Sequence, residues 1–276
     1  MNRLSSNQSS PRTAVWQLDY ESAPIKLGLG LLGALLLLGL WQLAALRGTF
    51  GSGLPSVGAT ASELARLIGD PEFWAETATT IWLAALGMVI ALAAGILLGL
   101  LLGTVDWLRH ASRAMTEFLK PIPPIVVLPL CVMIWGPTST MALVLVMIGT
   151  VLATTIQVVA GVNDTDPVAM DTARSFGMGR AERLLRITLP SAAPYIGTSV
   201  RIGAPAALII VVVAGLLGGA PGLGSAIYQS QAAGDFPRTY ALVLVLGVLG
   251  LLAQNLSGAI ERRVLHWHPA FRKEAK

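Results

Sequence analysis

The sequence predicts an all-α integral membrane protein with six transmembrane helices, and three observations carry that prediction. Of the 276 residues, 54% are hydrophobic and 12% charged, with a mean hydropathy of +0.68; soluble domains carry about a quarter charged residues. Apolar runs of the ~20 residues needed to cross hydrocarbon fall at 27–46, 80–103, 119–136, 140–160, 196–217 and 239–260. The cations alternate in density around those runs. Fifteen of the nineteen Lys and Arg lie in 1–26, 104–120, 161–195 and 261–276, against Arg47, Arg66 and Arg238 in the segments between. The positive-inside rule then places both termini in the cytoplasm. The basic balance is therefore topological, and no nucleic-acid partner is expected from it.

Taken in order, the first 26 residues are polar and read as a disordered cytoplasmic terminus. Span 27–46 is longer than the apolar core of a signal peptide, so it reads as an uncleaved first helix. In the second span Gly87, Ala91, Gly95, Gly99 and Gly103 recur every four residues, spacing that lets helix backbones approach closely in lipid. Packing inside one bundle is the first reading of that stripe and a homodimer seam the second. Pro121, Pro123, Pro124 and Pro129 interrupt the third span. The single cysteine, Cys131, allows no disulfide and no cysteine metal site within the chain. At the end of the last span His266 and His268 are two residues apart and face different ways, so no metal site is expected there; Trp267 between them reads as an interfacial anchor.

The spans contain no acidic residue, and Arg201 is the one cation well inside them. Proton-coupled carriers keep such groups in the bilayer, which argues against that class. Arg201 reads as a snorkelling side chain or an intersubunit donor rather than an anion site. Gln157, Gln229, Gln231 and Gln254 are uncharged groups that could line a path. The chain also lacks a phosphate loop of the G-x-x-x-x-G-K-[ST] type, so no catalytic residue or cofactor is expected, and energy for uphill movement must come from another subunit. A secondary carrier or channel acting alone is the alternative, and a membrane scaffold a third.

The polar stretch "DTARSFGMGRAERLLRITLP", Asp171–Pro190, stands out between two apolar runs. Asp166-Pro167 is a helix start. That helix should run through Ala173 and stop at Gly177 in a left-handed turn. A second should run from Arg180 to Leu189 and end at Pro190. Ala173 and Gly177, four apart, would form a side-chain-poor strip suited to close docking. On residues alone the pair either rests on lipid headgroups through Arg174, Arg180, Arg183 and Arg186 or docks to another protein.

Spacing favours docking. Asp171-Thr172-Ala173, three residues, Gly177, nine residues, then Ile187-Thr188-Leu189-Pro190 resembles the Glu-Ala-Ala loop of bacterial ABC importer permeases. "LKPIPPIVVLPL" (119–130), "LPSAAPYIGTSVRIGAPAAL" (189–208), "PGLGSAI" (221–227) and "ERRVLHWHP" (261–269) resemble the nitrate/sulfonate/taurine branch. The resemblance spans about 75–268. It implies a type I importer permease: a core over 74–262, a coupling loop at 161–195 and a basic cytoplasmic tail at 263–276. It further implies a homodimer in membrane lipid with two copies of a cytoplasmic ATPase and an extracytoplasmic solute-binding protein. Asp171, Thr172, Ala173, Arg174, Gly177, Ile187, Leu189 and Pro190 would be the ATPase-coupling residues. The implied solute is a small sulfonate, taurine or nitrate, with pyrimidine-type vitamin precursors as the alternative. Leu83 stands where the branch usually has Arg, Pro137-Thr138-Ser139 where it has Gly-x-Glu, and Gly215 where it has Glu.

Overall fold

Caps written into the sequence set where several helices begin. Asp70 accepts the Glu72 N–H at 3.0 Å ahead of Pro71, and Asp166 accepts the Val168 N–H at 2.8 Å ahead of Pro167. Thr138 accepts from Met141 at 3.3 Å and Asp235 from Arg238 at 3.2 Å. Each side chain satisfies a backbone donor that the first helical turn leaves free.

The computed structural model describes residues 23–267. The expectations for residues 1–22 and for the tail from His268 onward lie outside them. The helices are α1 (Ala23–Leu46), α2 (Val57–Ile68), α3 (Pro71–Thr104), α4 (Asp106–Leu119), α5 (Pro124–Trp135) and α6 (Ser139–Asn163). They continue with α7 (Pro167–Ser175), α8 (Arg180–Arg183), α9 (Leu189–Gly218), α10 (Leu223–Ala232) and α11 (Phe236–Val264). No strand occurs among the described residues. Among the described residues five helical segments are long and apolar enough to cross a membrane. Expected span 119–136 is not one straight helix. Its proline-rich start, 120–123, is not helical, and only α5 forms within it; α5 meets the preceding α4 at 92°, and the two make a sixth span only if taken together. α5 alone, with 12 residues, is about 18 Å long, short of the ~30 Å of hydrocarbon.

The described residues through Val57 form one unit. Within it the chain after α1 folds back on the helix: Trp41 Nε1 donates to the Pro55 carbonyl at 2.9 Å and the Val57 N–H donates to Gln42 Oε1 at 2.9 Å.

From Gly58 onward a second unit is built on α3, α6 and α9, which pack on one another, with α5 on α6 and α9 and with α10 and α11 on α9. The glycine stripe of α3 is the reason α3 and α6 lie so close. Cβ atoms built at Gly87, Gly95, Gly99 and Gly103 would fall 2.8 Å or less from side-chain atoms of Val146, Thr154, Val158 and Val162, which also recur along α6. The stripe is a seam within one chain, as its first reading had it, and is not itself open to a second copy.

Two of the branch departures are explained by packing. Leu83 is buried among Met88, Leu128, Cys131 and Met141, an apolar core with no place for a cation. Gly215 lies where α9 meets α10. A Cβ there would stand 2.9 Å from both the Gly224 Cα and the Ser225 nitrogen, so glutamate has no room. Thr138, the middle residue of the third departure, supplies the cap of α6.

Candidate functional site

The loop between α6 and α9 is the most elaborated polar feature of the chain. α6 ends at Asn163, and Asp164 accepts a hydrogen bond from the Tyr195 hydroxyl of α9 at 3.0 Å. Next to it, a Cβ at Gly161 would be 2.9 Å from the Ala192 Cα, so α6 and α9 cross almost in backbone contact where the loop leaves. The loop is thereby held at both ends by one helix crossing.

α7 ends in a Schellman turn. The Gly177 N–H donates to the Arg174 carbonyl and the Met178 N–H to the Ala173 carbonyl, each at 3.0 Å, with Gly177 at φ +76°. That is the left-handed stop expected of Gly177. Arg183 Nη1 then donates to the Met178 carbonyl at 3.2 Å and ties α8 back to the turn.

The expected end of the second helix at Pro190 is corrected. α8 is a single turn, residues 184–188 form a π-helical turn, and the chain continues without a stop into α9. Pro190 is tolerated because it lies in the first turn of α9, and the widened turn before it relieves the clash its ring would make with the preceding turn.

The expected docking strip is also corrected. Ala173 is only 4% exposed and turns inward, while Gly177 is open, with nothing within 4 Å of a Cβ placed there. The outer surface is made by other residues. Phe176, next to the glycine, is 83% exposed, and Val168 and Leu185 are exposed as well. Asp171 and Arg174 pair at 2.8 Å and Glu182 with Arg186 at 3.1 Å, all four side chains being substantially exposed. Thr172 spends its hydroxyl on the Val168 carbonyl at 2.8 Å. Ile187, Leu189 and Pro190 are half-buried around the buried Thr188 and root the loop in the bundle. A cleft of about 1000 Å³ separates this loop from the end of α3, with Asp106, Asp171, Arg174, Arg180 and Arg183 among its walls. Sequence reasoning passed over Phe176. Its only signal was an aromatic side chain beside the glycine of a polar turn.

Arg201 is paired within this chain. Its Nε lies 3.4 Å from Glu261 Oε2, with Arg201 52% and Glu261 3% exposed in their side chains. α11 runs four residues past the expected span end, which brings Glu261 onto the helix and into the packing. Arg201→Gln would strand that carboxylate. Breaking a buried pair costs about 3–5 kcal/mol; with the arginine half in solvent, about 2 kcal/mol is expected. The unfolding midpoint of the detergent-purified protein should drop for Arg201→Gln and recover when Glu261→Gln is added. Transport that fails in the recovered double variant would return Arg201 to the anion path.

Among the described residues no group of His, Cys, Asp and Glu could hold a metal ion. Gln229, Gln231 and Gln254 are exposed and Gln157 is half-buried.

A helical bundle with a rigid two-armed polar loop and no nucleotide-binding loop of its own has the build of a transport subunit driven by another chain. The family model described as binding-protein-dependent transport system inner membrane component matches residues 91–266. The chain is 29% identical over 202 residues to the taurine transport system permease of Escherichia coli, covering 72% of each. To the nitrate import permease of Leptolyngbya laminosa it is 27% identical over 193 residues, 70% of this chain and 69% of the relative. A solved inward-facing methionine ABC transporter superposes with a TM-score of 0.62 at 19% identity, over 70% of this chain and 95% of that one. The chain belongs to the binding-protein-dependent transport system inner membrane component family: it is a multi-pass inner-membrane permease subunit of an ABC importer, similar to the taurine and nitrate permeases.

Proposed function

We propose that this permease works as a homodimer with two cytoplasmic ATPase subunits, takes a small sulfonate or nitrate-like oxyanion from an extracytoplasmic binding protein, and is driven through the Asp164–Thr188 loop. The observation that carries the coupling assignment is the exposed Phe176, held on a Schellman turn to which Arg183 is tied and rooted in the α6–α9 crossing. An apolar knob with a charged rim fits a groove in a soluble protein, and its rooting transmits a push to both helices. Besides Phe176, the coupling surface comprises Asp171, Thr172, Arg174 and Gly177, with Ala173, Ile187, Leu189 and Pro190 holding it from beneath. The transport core covers 74–262. The solute class rests on the taurine and nitrate relatives.

In this reading both termini and the loop are cytoplasmic. Single cysteines at Ser175 and Gln231, in a Cys131→Ala background, should react with an impermeant maleimide from opposite sides of the membrane. Labelling from one side would reverse the topology. The function is tested by reconstitution with the ATPase and binding protein in liposomes. Taurine, an alkanesulfonate or nitrate bound to the binding protein should stimulate ATP hydrolysis and enter the lumen. Uptake by the permease without ATPase would make it a secondary carrier.

A further inference from the structure

α4 joins two membrane segments, yet none of its residues is buried. At 100° per residue its side chains separate cleanly. Trp107, Ala111, Met115 and Phe118 share one face, and Arg109, Arg113, Glu117 and Lys120 the other. Trp107 and Phe118 are 72% and 71% exposed. A helix of this kind, between membrane spans, settles at the boundary between headgroups and acyl chains.

Its polar face is partly exposed and borders a recess. It forms one wall of that recess, of about 260 Å³, against α3 and α6, at the same end of the bundle as the 164–188 loop. The wall supplied by α4 carries Arg109, Arg113 and Lys120, with the Glu117 carboxylate and His110 beside them. The floor is apolar: Leu102 from α3, Ile156 and Val159 from α6. Arg109 is engaged, donating to Asn163 Oδ1 at 2.7 Å and pairing with Asp106. Lys120 reaches Glu117 at 3.2 Å. Arg113 is exposed and has no hydrogen bond or ion pair among the described residues.

Cations above an apolar floor match an amphiphile better than a free anion. We propose that this recess binds one anionic phospholipid, with its phosphate on Arg113, the potential of Arg109 and Lys120 around it, and the start of an acyl chain on Leu102, Ile156 and Val159. A soluble oxyanion would use the cations and leave the floor wet. Ser112 and Thr116 do not compete for the phosphate as donors, because their hydroxyls already donate to the Arg109 and Ser112 carbonyls at 3.3 and 2.9 Å. The bound lipid would pin α4 in one leaflet and with it the bend into α5.

The test is native mass spectrometry of the full-length chain released from mixed vesicles of phosphatidylglycerol and phosphatidylcholine. Wild type should retain one phosphatidylglycerol per chain, preferred over phosphatidylcholine by about tenfold or more, as expected for two or three cations near a phosphate. Arg113→Gln with Lys120→Gln should bring that preference close to one. Both side chains are exposed, so the variant should fold, and an unchanged unfolding midpoint checks that it does. Ile156→Gln should weaken retention of either lipid while leaving the ratio. An unchanged preference in the double variant would overturn the proposal. So would displacement of the lipid by millimolar inorganic phosphate, taurine or nitrate, which would make the recess a soluble-anion site.

Discussion

Gly99→Leu is expected to leave almost no folded protein in the membrane. A Cβ at Gly99 would sit 2.5 Å from the Val158 Cβ and 3.0 Å from the Thr155 carbonyl oxygen. Neither is the far end of a flexible side chain, so the collision cannot be relieved by a rotamer change. α3 and α6 would have to part along a seam that also includes Gly87, Gly95 and Gly103. Overpacking a tight core commonly costs about 1–3 kcal/mol, and separating two long helices at the centre of the unit should exceed that range. Gly39→Leu on α1 is the comparison, because nothing lies within 4 Å of a Cβ there. Gel filtration and thermal unfolding of the purified variants should show Gly99→Leu aggregated and Gly39→Leu unchanged. Equal behaviour of the two would mean that α3 and α6 do not meet along this stripe.

That stripe was legible because its information is local. Four-residue spacing places small residues on one helix face whatever lies opposite, and Val146, Thr154, Val158 and Val162 complete the match from α6. The spans and caps were legible for the same reason, each being set by the composition or chemistry of a few neighbouring residues. Asp166, Pro167 and Gly177 bound α7 as their side chains and backbone preferences dictate. What escaped was decided by packing across the chain. Nothing near Glu261 in sequence announces that Arg201, sixty residues earlier, will meet it. The prolines marked a break but carried no angle, and the 92° turn leaves only the 12-residue α5 within the expected third span. Ala173 was assigned outward because spacing fixes which residues share a face, not which way that face points. In the fold it turns inward, and the exposed position passes to Phe176.

Phe176→Asp is expected to give a permease that folds, inserts and no longer couples. Phe176 caps α7 through its backbone, its N–H donating to the Thr172 carbonyl at 3.0 Å, while its side chain touches solvent over 83% of its surface. Removing that ring takes nothing from the core, so the unfolding midpoint should stay at the wild-type value. If the ring is buried in the ATPase, its loss forfeits about 1.5–3 kcal/mol of apolar burial. A carboxylate in the same groove adds a desolvation penalty. Affinity for the ATPase should therefore drop by about a hundredfold or more, since each ~1.4 kcal/mol is a factor of ten. Phe176→Leu keeps most of the apolar surface and should retain most of the coupling. Gly177→Leu acts differently. Its site is open, but a left-handed backbone costs a leucine about 1–2 kcal/mol, so the turn loosens and coupling weakens without being lost. Co-purification with the ATPase, and ATP hydrolysis stimulated by the loaded binding protein, should rank the variants as wild type, Phe176→Leu, Gly177→Leu, Phe176→Asp. A Phe176→Asp permease that retains its ATPase and transports at the wild-type rate would move the drive to another surface. The basic cleft of Arg174, Arg180 and Arg183 beside α3 would then be the next to probe.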